Sequence, residues 1–310
     1  MKKLIYDVGA SNLKFAWMTD EGEILQKKKM PTPRESLADY LAAFETLAEG
    51  CLEGTDGIGI STNGRMKPDG VTYKAYTMDF LTGVNLKAEL EKRMRLPVTI
   101  ENDGYAATIG EWWKGAAVGR KNVVGIVLGS GMGGGLVLEG KPYRGSRRNG
   151  AMNFGQLTSS DPANEKYLVS GLETSFVMTM YMTALARELP PMSITGEKFF
   201  EMVASGDPVA SRMLARYCRA IAVTAYNDAL LLDPDLVVVT GGLSERNEVI
   251  DGINQALAGI PKNCFEVQGM DLLSSQAIGV DWEDFAIHVT KGTLGQDANL
   301  YGALYCALES

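Results

Sequence analysis

Short apolar runs separated by small polar turns dominate the start of the chain. Residues 4–8 are typical of a buried strand, the polar turn 9–12 follows, and residues 13–18 form a second strand-like segment. After the turn at residues 20–22, a third strand is predicted from Glu23.

The same pattern returns in the middle of the chain. The apolar run 123–128 leads into the glycine-rich loop 129–135, a second apolar run and the turn 139–141. A repeated strand–loop–strand unit indicates two halves of similar design.

Each half continues with helices that alternate with strands. The predicted elements are helices at 34–48, 86–95, 104–115 and 207–232 and strands at 57–60, 98–101 and 235–240. This order predicts an α/β protein with mixed sheets and helical crossovers. We expect a smaller N-terminal domain at 1–116, completed by a helix at 297–310, and a larger domain at 117–296.

Composition narrows the classes of function. With 310 residues, 45% of them hydrophobic, the chain can bury a substantial core. A formal charge of −8 opposes binding to nucleic acid or to an anionic membrane. The four cysteines are scattered, and no targeting or membrane-spanning pattern is seen, so we expect a soluble, cytoplasmic protein with reduced thiols.

Both strand-linking turns are candidate phosphate sites. Glycine lets the backbone turn sharply, so that N–H groups can approach a phosphate, although a bulged hairpin explains one such loop equally well. Two such loops facing each other across a cleft would clamp a triphosphate. The candidate contacts are Gly9, Ser11, Asn12, Gly129, Ser130, Gly131 and Gly133.

Two aspartates end apolar strands. Asp7 is a candidate to orient hydrated Mg²⁺, or else caps its turn. Asp103 opens a helix at the carboxyl edge of a sheet, where it is the best candidate for a general base. This segment alone favours a helix N-cap role for Asp103.

Two further segments have both a functional and a structural interpretation. Gly241 and Gly242 follow a strand, so their backbone could pack against an adenine or ribose, or simply start a helix. Glu173 could bind sugar hydroxyls, although a solvated glutamate at a helix start is more common.

In consistent order, these segments resemble the ROK family of bacterial sugar kinases and related repressors. The resemblance rests on residues 7–12, 101–103, 129–135, 241–242 and 294–303. It implies a two-domain actin-like ATPase fold of the ribonuclease H-like type, MgATP as phosphoryl donor, a sugar acceptor and a homodimer. It also makes Asp103 the catalytic base, makes Asn102 and Glu173 sugar ligands, and places Gly64 near the sugar.

One stretch departs from the family pattern. Family members usually carry Glu-x-Gly-His followed by a zinc-binding cysteine motif, whereas this chain has Asn153 and Gln156 at the ends of the matching stretch and lacks the cysteines. Asn153 and Gln156 remain candidate sugar ligands through neutral hydrogen bonds. The chain is more similar to the zinc-less branch that includes β-glucoside kinases, which phosphorylate a 6-hydroxyl.

We therefore predict that the purified protein holds no stoichiometric zinc. A structural Zn²⁺ of the family type needs the thiolates that are absent here. Elemental analysis of the protein purified without chelator checks this, and one zinc per chain would contradict it.

The resemblance leaves the acceptor open. The main hypothesis is a kinase for the 6-hydroxyl of a hexose or β-glucoside. The alternatives are a kinase for an N-acetylated amino sugar or fructose, and a catalytically silent sugar sensor without a DNA-binding domain.

Overall fold

The computed structural model describes residues 1–67, 69–74, 78–146, 158–161, 166–169, 173–267, 270–271 and 286–310. For residues 65–66, 74, 158–161, 166–169, 261–267 and 270–271, it describes the backbone only. The strands are β1 (Lys2–Val8), β2 (Asn12–Thr19), β3 (Ile24–Pro31), β4 (Thr55–Thr62), β5 (Arg65–Met66), β6 (Thr72–Lys74), β7 (Val98–Asn102), β8 (Val123–Leu128), β9 (Met132–Leu138), β10 (Lys141–Tyr143), β11 (Thr158–Asp161), β12 (Lys166–Val169), β13 (Leu236–Thr240), β14 (Glu266–Val267), β15 (Met270–Asp271) and β16 (Val289–Lys291). The α-helices are α1 (Leu37–Ala48), α2 (Leu86–Met94), α3 (Asp103–Lys114), α4 (Phe176–Ala186), α5 (Gly196–Ala204), α6 (Pro208–Leu232), α7 (Asn247–Phe265) and α8 (Ala298–Leu308).

Two five-stranded mixed sheets carry the fold. The first sheet has the order β3-β2-β1-β4-β7, and the second has the order β10-β9-β8-β13-β16. In each, three successive strands are antiparallel, and the first of them runs parallel to two later strands, β1 with β4 and β7 in the first sheet and β8 with β13 and β16 in the second. The predicted repetition of one strand–loop–strand design therefore appears as two sheets of related topology.

Each sheet is covered on its faces by helices. Tyr6 and Phe15 of the first sheet pack with Tyr40 and Phe44 of α1, and all four side chains are buried. The opposite face of the same sheet is covered by Leu300 and other apolar residues of α8. On the second sheet, the alternating apolar residues of β8 and β13 pack against α6 and α7.

The helix α3 lies between the two sheets and packs closely on α8. A Cβ atom at Gly302 would overlap the carbonyl oxygen of Ala106, and one at Gly110 would overlap that of Ala298. Only glycine lets the two backbones approach so closely. The predicted division into domains at residues 116 and 117 stays a prediction.

Element boundaries differ from the sequence prediction mainly at helix starts. The helix predicted from Arg34 begins at Leu37, because the side chain of Ser36 accepts a hydrogen bond from the N–H of Asp39 and caps the helix.

In the described part of the chain, no helix combines the length and apolar character needed to cross a membrane.

Candidate active site

The carboxyl edge of the first sheet gathers several of the predicted site residues. Strands β1, β4 and β7 are parallel and in register, so their last residues lie side by side. Two rows cross the edge, one made of Val8, Thr62 and Asn102 and the other of Asp7, Ser61 and Glu101. Since neighbouring strands are about 4.8 Å apart, the turn after β1 and the start of α3 are separated by roughly 10 Å.

Asp7 is held by three side chains. It is only 5% exposed. Its Oδ1 accepts from Asn299 Nδ2 at 2.9 Å and from Ser61 Oγ at 3.4 Å, and its Oδ2 pairs with Lys14 Nζ at 3.1 Å. Lys14 also donates to the carbonyl of Gln296 at 3.4 Å. These contacts fix the orientation of the carboxylate.

Sequence reasoning missed Lys14 and Asn299. Lys14 could have been found, because it pairs directly with Asp7 across the β1–β2 hairpin. Counting outward from the turn gives that register, and opposite charges on directly opposed strand residues attract. Asn299 lies 292 residues from Asp7 along the chain, and no local pattern indicates their contact.

The turn after β1 is tied to the end of β3. The hydroxyl of Thr32 donates to the carbonyl of Gly9 at 2.8 Å, and the N–H of Thr32 donates to the carbonyl of Ser11 at 3.1 Å. Ser11 and Asn12 are exposed at the sheet edge. The turn is therefore anchored from behind and presents small polar residues to solvent.

Asn102, rather than Asp103, is the N-cap of α3. Its Oδ1 accepts from the N–H of Gly104 at 3.0 Å and of Tyr105 at 3.2 Å, while its Nδ2 donates to the carbonyl of Gly64 at 3.2 Å. The capping alternative for Asp103 is therefore wrong, because the preceding side chain already performs that role. Asn102 and Gly64, both predicted near the sugar, are in direct contact.

Asp103 is half-buried in the first turn of α3. Burial raises the pKa of Asp103 from 3.8 to about 6, and the negative charge of Asp7 adds to the rise. The N–H of Gly104, which donates to Asp103 Oδ1 at 2.8 Å, acts in the opposite direction. A carboxylate with this pKa can accept a proton near neutral pH far better than an ordinary aspartate.

The second sheet carries its own loops at its carboxyl edge. Residues 129–131 are exposed after β8, and the N–H of Gly129 donates to the carbonyl of Gly131 at 2.9 Å. Gly241 follows the neighbouring strand β13 with φ of +96°, and a Cβ atom there would lie 2.5 Å from the carbonyl oxygen of Leu128. The two glycine segments predicted to hold phosphate and adenosine therefore adjoin.

The start of α3 brings the two edges together. A Cβ atom at Gly104 would lie 2.7 Å from the backbone nitrogen of Gly134 and 3.3 Å from the carbonyl carbon of Gly133. The residue next to Asp103 is therefore packed on the glycines of β9, directly after the loop 129–131. Asp103, Asp7 and this loop are gathered where the two sheets meet.

Arg144, which follows β10, reaches from the second sheet to the first. Its guanidinium pairs with Glu101 at 3.0 Å and lies 5.0 Å from the ring centre of Tyr105. The Glu101 carboxylate helps to raise the pKa of Arg144. This contact supports the segment that contains Asn102 and Asp103, and nothing in the local sequence indicated it.

Glu173 lies apart from this group. Its carboxylate pairs with Arg216 at 3.2 Å beside a cavity of about 190 Å³ between α4 and α6. Two residues later, Ser175 donates to the carbonyl of Ser130 at 3.1 Å, so the segment does touch the second loop. Asn153 and Gln156, the other predicted sugar ligands, lie outside the described residues.

Known proteins resemble this chain over its full length. It is 26% identical over 314 residues to a β-glucoside kinase from Klebsiella pneumoniae, covering 98% of this chain and 95% of the relative. A solved ROK family protein from Streptococcus pneumoniae TIGR4, in complex with sucrose, has a TM-score of 0.80 at 26% identity, with 98% of this chain and 96% of that chain covered.

A ROK family glucokinase from Streptomyces griseus, solved with glucose and AMPPNP, shows the same fold. Its TM-score is 0.77 at 24% identity, and the match covers 100% of both chains. These neighbours and the two mixed sheets confirm the predicted actin-like ATPase fold. The ROK family model matches residues 5–309, and the chain therefore belongs to the ROK family.

Proposed function

We propose that this chain is a sugar kinase that transfers the γ-phosphoryl group of ATP to a sugar hydroxyl, with Asp103 as the base. The observation that carries the proposal is the half-buried carboxylate of Asp103, with its pKa raised to about 6, placed beside the glycines of β9 and at the same sheet edge as Asp7. Membership in a family that includes β-glucoside kinases and glucokinases supports it.

The nucleotide would lie between the two loops. We assign the phosphates to residues 9–12 and 129–133 and the adenosine to Gly241 and Gly242. The buried Asp7 carboxylate suits Mg²⁺ held through water, because its oxygens already have side-chain partners. Bound Mg²⁺ would neutralise charge on the phosphates.

The chemical step needs little covalent chemistry from the protein. The sugar hydroxyl gives its proton to the Asp103 carboxylate, its oxygen forms a bond to the γ-phosphorus, and the bond from that phosphorus to the β,γ-bridging oxygen breaks to release ADP. The N–H of Gly104 and the packing of α3 on β9 hold the carboxylate in place. Positioning of this kind supplies much of the catalysis in phosphoryl transfer.

The proposed acceptor is the 6-hydroxyl of a hexose or β-glucoside. Asn102 and Gly64 line a cavity of about 490 Å³ along the exposed side of β7, large enough for more than one sugar ring. The β-glucoside kinase relative and the sucrose-bound structure also favour an acceptor with a second unit. We keep Asn153, Gln156 and Glu173 as proposed sugar contacts from the family resemblance, and Glu173 would contact the sugar only from its separate cavity between α4 and α6. We also propose that the enzyme works as a homodimer.

A coupled ADP-release assay tests the function. The panel contains glucose, fructose, N-acetylglucosamine and methyl β-glucoside, each with MgATP. Sugar-dependent ADP release supports the kinase, and the best acceptor identifies its class. Sugar binding without ADP release from any acceptor would favour the sensor, whereas neither binding nor release would overturn both.

The pH dependence follows from the raised pKa of Asp103. The base must be ionised, so kcat/KM for the sugar should rise with pH through about 6 and level off above it. An ordinary aspartate would place this limb about two pH units lower. Rates measured at saturating MgATP locate the limb, and a profile that stays flat down to about pH 4.5 would count against Asp103.

A further inference from the structure

Glu111 is a fully buried carboxylate that binds three separate segments of the chain. It is 0% exposed and lies on α3 about two turns after Asp103. Its Oε2 accepts from the N–H of Ala116 and of Thr293, each at 3.0 Å. Its Oε1 accepts from the N–H of Leu294 at 3.0 Å and from the hydroxyl of Thr240 at 3.3 Å.

The segments that Glu111 binds are the two connections between the sheets. Residues 115–122 lead from α3 to β8, and residues 292–297 lead from β16 to α8. Both begin with glycine, and both glycines make room for the carboxylate. A Cβ atom at Gly292 would lie 2.5 Å from Glu111 Oε1, and one at Gly115 would overlap Oε2. Any rotation of one sheet against the other must change the backbone of these connections.

Thr240 extends the contact to the nucleotide side. It is buried at the end of β13 and directly precedes Gly241, which packs on the end of β8 beside the loop 129–131. The other end of α3 carries Asp103. A buried carboxylate that accepts from four donors makes strong hydrogen bonds, so the end of β13, the two connections and α3 are held as one unit.

We propose that Glu111 is a positioning residue that couples nucleotide binding at the second sheet to the placement of Asp103 for the sugar. The proposal rests on the proposed kinase function. Nucleotide and sugar then favour the same closed arrangement of the two sheets, so binding of either ligand strengthens binding of the other. Without the Glu111 carboxylate, the connections no longer move together with α3, and the two binding events become independent.

Glu111→Gln tests the coupling. The glutamine amide keeps the shape of the side chain. Its NH₂ group, however, faces two hydrogen-bond donors, in the place of a carboxylate oxygen that accepted hydrogen bonds from both. The probes are AMPPNP and whichever sugar of the assay panel supports ADP release. In the wild type, we expect the sugar to tighten AMPPNP binding about 5- to 150-fold, and in Glu111→Gln by about twofold or less. Affinity for AMPPNP alone should change by less than about threefold, which a general loss of structure would not allow.

Ile109→Val is the matched control. Ile109 is fully buried on the same helix, in an apolar cluster that also contains Ala117, so its truncation weakens α3 packing but leaves every hydrogen bond to Glu111 in place. It should keep the wild-type coupling factor. Hydrogen exchange provides a second readout, because the N–H groups of Ala116, Thr293 and Leu294 should exchange faster in Glu111→Gln and at the wild-type rate in Ile109→Val.

The outcomes separate the inference from the proposed function. Wild-type coupling in folded Glu111→Gln, or equal loss of coupling in Ile109→Val, overturns the role of Glu111 and leaves the kinase intact. Absence of sugar-dependent ADP release in the wild type overturns the function itself. If Glu111→Gln does not fold, Thr240→Val removes one of the four hydrogen bonds, and an unchanged coupling factor in that variant overturns the inference.

Discussion

Replacing Asp103 with asparagine is expected to lower sugar-dependent ADP release by about 10²- to 10⁴-fold, the usual contribution of a general base. Asparagine has nearly the same shape and still accepts the hydrogen bond from Gly104, but it cannot take a proton at neutral pH. Nucleotide binding should be retained because the loops at 9–12 and 129–131 are unchanged. Steady-state kinetics and AMPPNP titration measure the two effects.

The same substitution should stabilise the fold at neutral pH. The folded pKa of about 6 exceeds the ordinary value of 3.8, so the ionised carboxylate is less favourable in the folded state. At about 1.4 kcal/mol per pKa unit, the cost is at most roughly 3 kcal/mol above pH 6. The advantage of asparagine should shrink as the pH falls from about 6 towards 4, where both states bind the proton. Denaturant unfolding at several pH values checks this.

Asp228→Asn is the matched control for both effects. Burial also raises the pKa of Asp228 to about 6, and its Oδ2 has no hydrogen-bond partner in the described structure. This residue lies on α6, outside the proposed site. Asp228→Asn should therefore stabilise the protein with the same pH dependence and leave activity unchanged. Full activity in Asp103→Asn would show that the base is another group.

Gly302→Ala is expected to have the largest effect on stability. The added Cβ would overlap the backbone carbonyl of Ala106, so α8 and α3 must move apart. Overpacking at a tight backbone contact costs about 1–3 kcal/mol, and the rigid neighbour places this case at the upper end. Because α3 carries Asp103, we expect kcat to fall as well. Thermal unfolding should show Tm lower by about 5 °C.

Gly196→Ala serves as the control for Gly302→Ala. Gly196 opens α5, and a Cβ atom there would meet only a ring carbon of Phe176 at 3.7 Å, an ordinary contact. The Tm of the Gly196→Ala protein should stay within about 1 °C of the wild-type value. A Gly302→Ala protein with an unchanged Tm would mean that the helices separate at little cost.

Local patterns were sufficient to predict most of the elements around the site. The predicted strand at 123–128 matches β8, and the helix predicted at 207–232 matches α6 to within one residue. The first is a continuous apolar run that ends at Gly129, and the apolar residues of the second repeat with the helical period up to Asp233. The helices α4, α5 and α7 and the strand β16 were not predicted. The amphipathic patterns of α5 and α7 could have shown them, whereas α4 has almost no such pattern and β16 is only three residues long.

The candidate site was predicted in part for a related reason. Asp7 and Asp103 were found because both lie at the carboxyl ends of parallel strands, which share one edge of the sheet. Lys14 was missed, although the hairpin register that places it opposite Asp7 can be counted from the turn. Asn299, Arg144 and the ligands of Glu111 depend on contacts between segments far apart along the chain, such as the 183 residues between Glu111 and Leu294. No periodicity encodes such pairs.

The packing of α8 on the first sheet affects how the protein folds during synthesis. Ile5, Ala16 and Met18 face Leu300 and Leu304, which leave the ribosome far later. At about 5–20 residues per second, roughly 15–60 s separate the two groups. For that time, this side of the strands synthesised first lacks the helix that covers it in the folded protein, although Ile24 and Trp113 of the same cluster are already present. The first part of the protein to be made is therefore the last to reach its final packing, and a chaperone that binds apolar strands would find it there.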